Sequence, residues 1–174
     1  MHRISGLIFM IFGQNDGLDL TEPNLKLSKL ENLMYAEVII DVPFHDVDSM
    51  NVVWHGHYLK YFEVARCQLL DKFDYNYTQM QQSGYAYPVV ESYIRYVHGI
   101  VFAQKIRVRA TLTEWENRLK IDYTIFDDAT GKRLTRGHTV QVAVNIKNKE
   151  LCLVSPKILL DKLSAWQDFV GANR

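Results

Sequence analysis

The chain lacks the usual means of covalent or metal-based stabilisation. Its only cysteines, Cys67 and Cys152, are far apart and belong to no CxxC or Cys/His pattern at zinc spacing. A disulfide scaffold is thereby excluded, and two free thiols in a reducing compartment are expected. Excess charge of one sign is also missing. The 20 basic and 20 acidic side chains cancel to a formal net charge of +0, which argues against a general nucleic-acid binder, because such proteins carry a basic excess or stripe. No apolar run is long enough to span a bilayer; the longest, Ile4 to Phe12, is broken by Ser5 and Gly6. Arg3 precedes that run as it would in a signal peptide, yet Gly13-Gln14-Asn15-Asp16-Gly17 offers no small-x-small cleavage pattern. A cytoplasmic protein is the expectation.

What is present is ordinary globular material. Of 174 residues, 48% are hydrophobic and 23% charged, which excludes disordered and low-complexity classes and suits one domain with or without an appendage. A chain of this length buries roughly 70% of its unfolded surface, enough for a core without staples.

Residues 1–34 read as an N-terminal extension. Thr21-Glu22-Pro23 can start a helix, and Leu27, Leu30, Leu33 and Met34 follow at helical spacing. The main domain is expected over 35–174. From Ala36 the period is two: Val38, Ile40, Val42 and Phe44 share a face, with Asp41 and Pro43 opposite. Pro43 makes this an edge strand or its end. A helix is predicted over Trp54–Phe73, with Tyr58, Phe62, Ala65, Leu69 and Phe73 as its stripe. Leu59, Val64 and Leu70 widen the stripe enough to predict a helix buried around most of its circumference. Strands are expected at Tyr87–Tyr96, Lys105–Leu112, Leu119–Ile125 and Val140–Ile146, the last with Thr139, Gln141 and Asn145 outward. Glu114–Asn117 and Asp127–Gly131 are hairpin turns between them. Ser155-Pro156 starts a last amphipathic helix carrying Leu159, Leu163, Trp166 and Val170. Strand, long helix, then antiparallel strands with one apolar face each define an α+β fold: one curved sheet wrapped around a central helix.

Chemistry concentrates between Phe44 and Tyr58. Asp46 and Asp48 lie two residues apart between a strand and a helix, and His55 stands on the first turn of that helix. A helix N-terminus offers unpaired N–H groups and a positive dipole end to a developing oxyanion. A carboxylate beside it can serve as general base or nucleophile on a carbonyl. The same residues also suit plain loop and capping roles, and spacing alone does not choose.

The string Asp46-x-Asp48-x-x-x-Val52-Val53-Trp54-His55-x-x-Tyr58, followed by Tyr61-Phe62-Glu63-x-Ala65-Arg66, resembles the signature of the hot-dog-fold acyl-CoA thioesterases of the 4-hydroxybenzoyl-CoA thioesterase type. The similarity runs from about Tyr35 to Leu160. It implies a hot-dog fold and hydrolysis of an acyl-CoA or acyl-carrier-protein thioester, with no cofactor or metal. By that resemblance Asp48 is the catalytic carboxylate, His55 donates its backbone N–H to the thioester oxygen, and Tyr58 lines the pocket. Asn51, Val53 and Trp54 enter the substrate-binding set with the motif. Asn51 stands where relatives carry glycine, a place for a left-handed backbone that Asn tolerates. Val97-His98-Gly99 replaces a Pro-Ala-type bend, which bears on the acyl pocket.

Other readings keep their place. A hot-dog dehydratase and a non-catalytic acyl-thioester-binding protein are the alternatives. Arg107 and Arg109, with Arg133 and Arg136, could meet coenzyme A phosphates or simply form a solvated face. His57 is expected to be solvated, Glu63 to pair with Arg66 at i+3, and Cys67 to be core. An open sheet edge needs a partner. A homodimer or homotetramer is therefore expected, with the Asp48 loop near the junction, at the end of the first strand.

Overall fold

In the computed structural model, residues 34–172 are described, with the side chains of the last helix given as far as Trp166. The expected extension therefore lies outside the described residues, except Met34. Its carbonyl accepts from the Leu112 N–H at 2.8 Å, so Met34 prolongs a strand ladder rather than a helical stripe.

Seven strands and three α-helices are described. They run β1 Tyr35–Asp41, α1 Tyr58–Lys72, α2 Tyr77–Gln82, β2 Tyr85–Ala86, β3 Val89–Tyr96, β4 Lys105–Glu114, β5 Leu119–Asp127, β6 Arg133–Gln141, β7 Val144–Asn145 and α3 Lys157–Ala172. Five strands form one antiparallel sheet in the order β1-β4-β5-β6-β3, and β2 pairs with β7 separately. The hairpin turns fall where Glu114–Asn117 and Asp127–Gly131 predict them. At the second, Asp127 Oδ1 accepts from both the N–H and the hydroxyl of Thr130, and Gly131 takes φ 69°. Only glycine adopts such a φ without steric cost.

Alternation on β4 and β5 is clean. Ile106, Val108, Ala110 and Leu112 join Leu119, Ile121, Tyr123 and Ile125 in the buried layer beneath α1. The α1 stripe of Tyr58, Phe62, Ala65, Leu69 and Phe73 is buried against it; each large member contributes about 2 kcal/mol by burial. Leu59 and Val64 are exposed, however. The helix is apolar on more than one side but covered by this sheet on one, so the expectation of burial around most of its circumference fails within a single chain. Phe44 also leaves its predicted face. β1 ends at Asp41, and Phe44 lies exposed in a 3₁₀ turn against the ring of Phe102.

The largest correction concerns the last sheet strand. It begins at Arg133 rather than near Val140 and ends at Gln141, with Val144 and Asn145 in the separate two-residue β7. Its phase is inverted too. Thr135, Gly137, Thr139 and Gln141 stand opposite the inward residues Ile125, Tyr123, Ile121 and Leu119, so polar side chains face the core. The reason is packing. Phe62 stacks on Tyr123 with centroids 4.3 Å apart, directly over Gly137, where a Cβ would lie 2.8 Å from the Phe62 ring and 2.3 Å from the Tyr93 carbonyl. The Tyr123 hydroxyl then shares a hydrogen bond with Thr139, which also accepts from Gln141. A buried phenol needs such a partner.

Ser155 and Pro156 precede α3, whose Leu159 and Leu163 are fully buried. No helix among the described residues is long and apolar enough to cross a membrane.

Candidate active site

After β1 the chain makes a 3₁₀ turn at Phe44–Asp46, a tight hairpin, a second 3₁₀ turn at His55–His57, and then enters α1. Val47 bridges Val53, the Asp48 N–H donates to the Val52 carbonyl at 2.9 Å, and the Trp54 N–H donates to the Asp46 carbonyl at 2.9 Å. The hairpin is anchored to the β3–β4 connection, where the Val53 N–H donates to the Ile100 carbonyl at 2.7 Å. Asn51 closes the turn at φ 60°, the left-handed backbone that its substitution for glycine implied.

The two carboxylates have opposite surroundings. Asp48 is partly exposed, and its side chain accepts only the Met50 N–H, at 2.8 Å, in an Asx turn. Asp46 is 2% exposed. Its carboxylate accepts from Lys60 Nζ at 2.6 Å and from the Tyr61 hydroxyl at 2.8 Å, and His57 Nδ1 lies 3.0 Å away. Burial pushes the Asp46 carboxyl up, but the hydrogen bonds from Lys60 and Tyr61, with the Lys60 and His57 charges, hold it below its ordinary value. The same burial and bond push the Tyr61 phenol well above its usual range. Asp46 is thus a bracing group beneath the hairpin, and Asp48 is the carboxylate left available. His57, expected on a solvated face, is instead held at Asp46. Nothing in the sequence pattern signals this network, because Lys60 and Tyr61 lie fourteen and fifteen residues away on a helix face that only folding brings round.

The helix entrance is uncapped. Neither the 3₁₀ turn nor α1 receives a side-chain hydrogen bond at its N-cap, and the first N–H groups of a helix have no acceptor within it. The His55 N–H therefore presents a donor and a positive dipole end two residues beyond Val53. On the other side the His55 carbonyl accepts from the Tyr96 hydroxyl at 3.0 Å. Trp54 folds back over Gly56 between two imidazoles, with ring centroids 4.8 Å from His55 and 5.3 Å from His57. A Cβ at residue 56 would fall 2.0 Å from the indole, so only glycine allows this pose. Tyr58 is buried and meets Tyr96 edge to face at 4.8 Å. Burial chiefly raises its phenol, and the charges of Tyr96 and Asp48 add to the rise.

The remaining nominated residues divide. Val53 is absorbed into the core. Arg107 and Arg109 lie on the outer face of β4, opposite the layer beneath α1, where both guanidinium groups bind Glu37 Oε1, at 3.0 and 2.8 Å. Arg107 also approaches Asp128 at 3.5 Å, and both stack near Phe126. They brace the sheet rather than stand free for a ligand. Glu63 pairs with Arg66 at 2.5 Å, as expected, and Tyr77 joins both. Burial pushes the Cys67 thiol up, the wrong direction for a nucleophile. Tyr96 is the site residue that the motif did not nominate; its signal was a tyrosine ending the strand before the altered bend.

An antiparallel sheet packed on a central helix, with a partly exposed carboxylate in the hairpin that leads to an uncapped helix start, is the arrangement of a hot-dog-fold thioesterase. Residues 42–168 match the family model described as the thioesterase-like superfamily. The chain belongs to that family and is a thioester hydrolase by class.

Among similar proteins, a Synechocystis protein provisionally named an esterase, sll0410, is 27% identical over 130 residues, covering 74% of this chain and 78% of its own. YneP of Bacillus subtilis, provisionally named an acyl-CoA thioesterase, is 26% identical over 91 residues, covering 52% and 66%. The structure of DHNA-CoA thioesterase from Staphylococcus aureus superposes with TM-score 0.68 at 23% identity, covering 80% of this chain and 95% of that one. This last likeness concerns the fold.

Proposed function

We propose that the protein hydrolyses an acyl-CoA thioester in the cytoplasm. Asp48 acts as general base toward water or as nucleophile on the acyl carbon, and the His55 N–H, at the helix entrance, receives the oxyanion. The observation that carries this reading is the contrast between the two carboxylates: Asp46 is consumed by Lys60, Tyr61 and His57, and Asp48 is held by one backbone N–H beside an uncapped helix start. Thioesters are electrophilic enough to need no Lewis acid. Tyr58 and Tyr96, in edge-to-face contact, and Trp54, packed on His55, give the helix entrance aromatic surface suited to the acyl group or the pantetheine arm. The names of the two relatives, esterase and acyl-CoA thioesterase, support the substrate class.

The active unit is a dimer built on β3. This strand is the sheet's second edge and is open on both faces; Val89, Val90, Tyr93 and Tyr96 are all exposed. An unpaired apolar edge is a liability unless a second edge covers it. Two-fold pairing of β3 with its copy gives a ten-stranded sheet and brings a second subunit to Tyr96, hence to the site. The junction thus falls at β3 rather than at the end of β1, where the Asp48 loop alone had suggested it; pairing of such dimers gives the tetramer.

The test is release of free thiol from a panel of acyl-CoA and acyl-carrier-protein thioesters, with light scattering on the active fraction. Turnover by a dimer or tetramer is expected. Absence of thiol release across the panel leaves the dehydratase or acyl-binding readings, and an active monomer removes the shared site.

A further inference from the structure

A backbone donor is aimed only as well as its peptide plane is held. The His55 N–H shares a planar peptide group with the Trp54 carbonyl, so the two turn together. That carbonyl accepts from the His57 N–H at 2.9 Å. His57 is in turn held by its ring, whose Nδ1 lies 3.1 Å from the Asp46 carbonyl oxygen and 3.0 Å from Asp46 Oδ1. Both oxygens are acceptors, so Nδ1 carries the proton and donates whether the ring is neutral or charged. The Asp46 carbonyl also accepts the Trp54 N–H at 2.9 Å. Asp46 therefore holds residue 54 at both of its backbone groups, the N–H directly and the carbonyl through His57. Asp46 itself is buried and fixed by Lys60 and Tyr61 from α1.

The other groups around Asp46 do not reach that peptide. Lys60 and Tyr61 bond the carboxylate alone, and His45, 77% exposed, approaches it only at 3.8 Å. The His57 ring does one thing more: it meets the Trp54 indole edge to face at 5.3 Å, in the space that Gly56 leaves open. With no N-cap side chain on the turn, its side-chain tethers among the described residues are His57 on Asp46 and the Tyr96 hydroxyl on the His55 carbonyl. We propose that His57 is a positioning residue for thioester hydrolysis: clasped by Asp46, it fixes the Trp54–His55 peptide so that the His55 N–H is aimed at the oxyanion before substrate arrives. The proposal rests on the thioesterase reading for the role of that N–H. Such preorganisation acts where charge develops on the thioester oxygen, in the transition state, and little in ground-state binding.

The test compares H57A, which removes the ring and its donor, with H57N, whose side-chain amide N–H falls near the place of Nδ1, in the full-length protein. Two quantities are read: kcat and KM on an acyl-CoA that the wild type turns over, and the residual dipolar coupling of the His55 N–H, which reports the direction of that bond. In H57A kcat should fall at least ~10-fold, as for a catalytic group displaced by a fraction of an ångström. KM should stay within twofold, so that kcat and kcat/KM fall together. The coupling should change in H57A, and H57N should restore both the coupling and at least half of kcat. N76A, which removes the capping box of α2 beyond the far end of α1, should lower Tm and leave kcat and the coupling as in wild type. If H57A fails to fold, H57L, which fills the space without a donor, carries the same expectation. A kcat within twofold of wild type, a risen KM with kcat intact, an H57N as slow as H57A, or an equal fall of kcat in N76A each overturns the proposal. If wild type releases no thiol from any thioester, the thioesterase reading fails and the coupling alone decides. A coupling changed in H57A and restored in H57N keeps the clasp, and an unchanged one removes it.

Discussion

Replacing each of the two neighbouring carboxylates by its amide separates bracing from chemistry. In Asp46→Asn the charge is lost and one acceptor oxygen becomes an amide donor. Tyr61, 3% exposed, loses a hydrogen bond to a charged group, a change of about 1.5–3 kcal/mol. Lys60 is 55% exposed and re-enters water, so its pair adds at most about 1 kcal/mol. Together the loss is about 2–4 kcal/mol, a large share of an ordinary domain's stability. For a chain of this size that lowers Tm by roughly 4–16 °C. Asp48→Asn keeps the oxygen that accepts the Met50 N–H and buries no new group, so Tm should move by less than about 2 °C. Its kcat should fall at least ~10²-fold for want of a base or nucleophile. Thermal unfolding and thiol release on the same preparations read both effects. The Asp46 contribution also depends on pH. Its folded pKa lies below the unfolded one, so the stabilisation is complete above the ordinary carboxylate value near ~4 and disappears as pH falls through the lower folded value. The acid limb of the wild-type stability curve should therefore flatten in Asp46→Asn. An Asp46→Asn protein with wild-type Tm and abolished turnover, beside an active Asp48→Asn, would reverse the roles assigned here.

His55 offers a second separation, of backbone from side chain. Trp54 sits at φ −58°, ψ 132°, a conformation compatible with a following proline, and residue 55 is the first position of its 3₁₀ turn, where proline is tolerated. His55→Pro should therefore fold and lose the oxyanion donor, with kcat down ~10²–10³-fold, whereas His55→Ala keeps the N–H and should be milder than Asp48→Asn. Equal kcat for the proline and alanine variants would remove the N–H from the mechanism, and a wild-type pH–rate profile in His55→Ala would remove the imidazole. Gly137→Ala drives a methyl into the Tyr93 carbonyl and the Phe62 ring and should destabilise by about 1–3 kcal/mol in denaturant titration; an unchanged midpoint would contradict the packing described beneath α1.

Local periodicity was enough to determine the order of β1, α1, β3, β4, β5 and α3 and most of their faces, but not α2, β2, β7 or the start of β6. Strands β4 and β5, the α1 stripe and the two hairpin turns are written in alternations of period two and 3.6 and in Asp, Thr and Gly at the turns, because each depends on neighbours close in the chain. The Asp-x-Asp and His-x-x-Tyr spacing likewise brought a carboxylate and a helix start together, and Asn51 announced its left-handed turn. What only the tertiary structure decided are matters of partnership across distance. Which of the two aspartates is buried depends on Lys60 and Tyr61 arriving from α1. The inward face of β6 was set by Phe62 and Tyr123, which need a glycine beneath one ring and a hydroxyl beside the other, so that Thr139 and Gln141 overrode the apolar pattern of Val140. Which arginines are free followed from where Glu37 falls opposite β4: pairing register assigns Arg107 and Arg109 a carboxylate and gives Arg95 and Arg136 only each other. Charge pairing is set by cross-strand register, and register is a property of the folded sheet that no single strand's sequence contains.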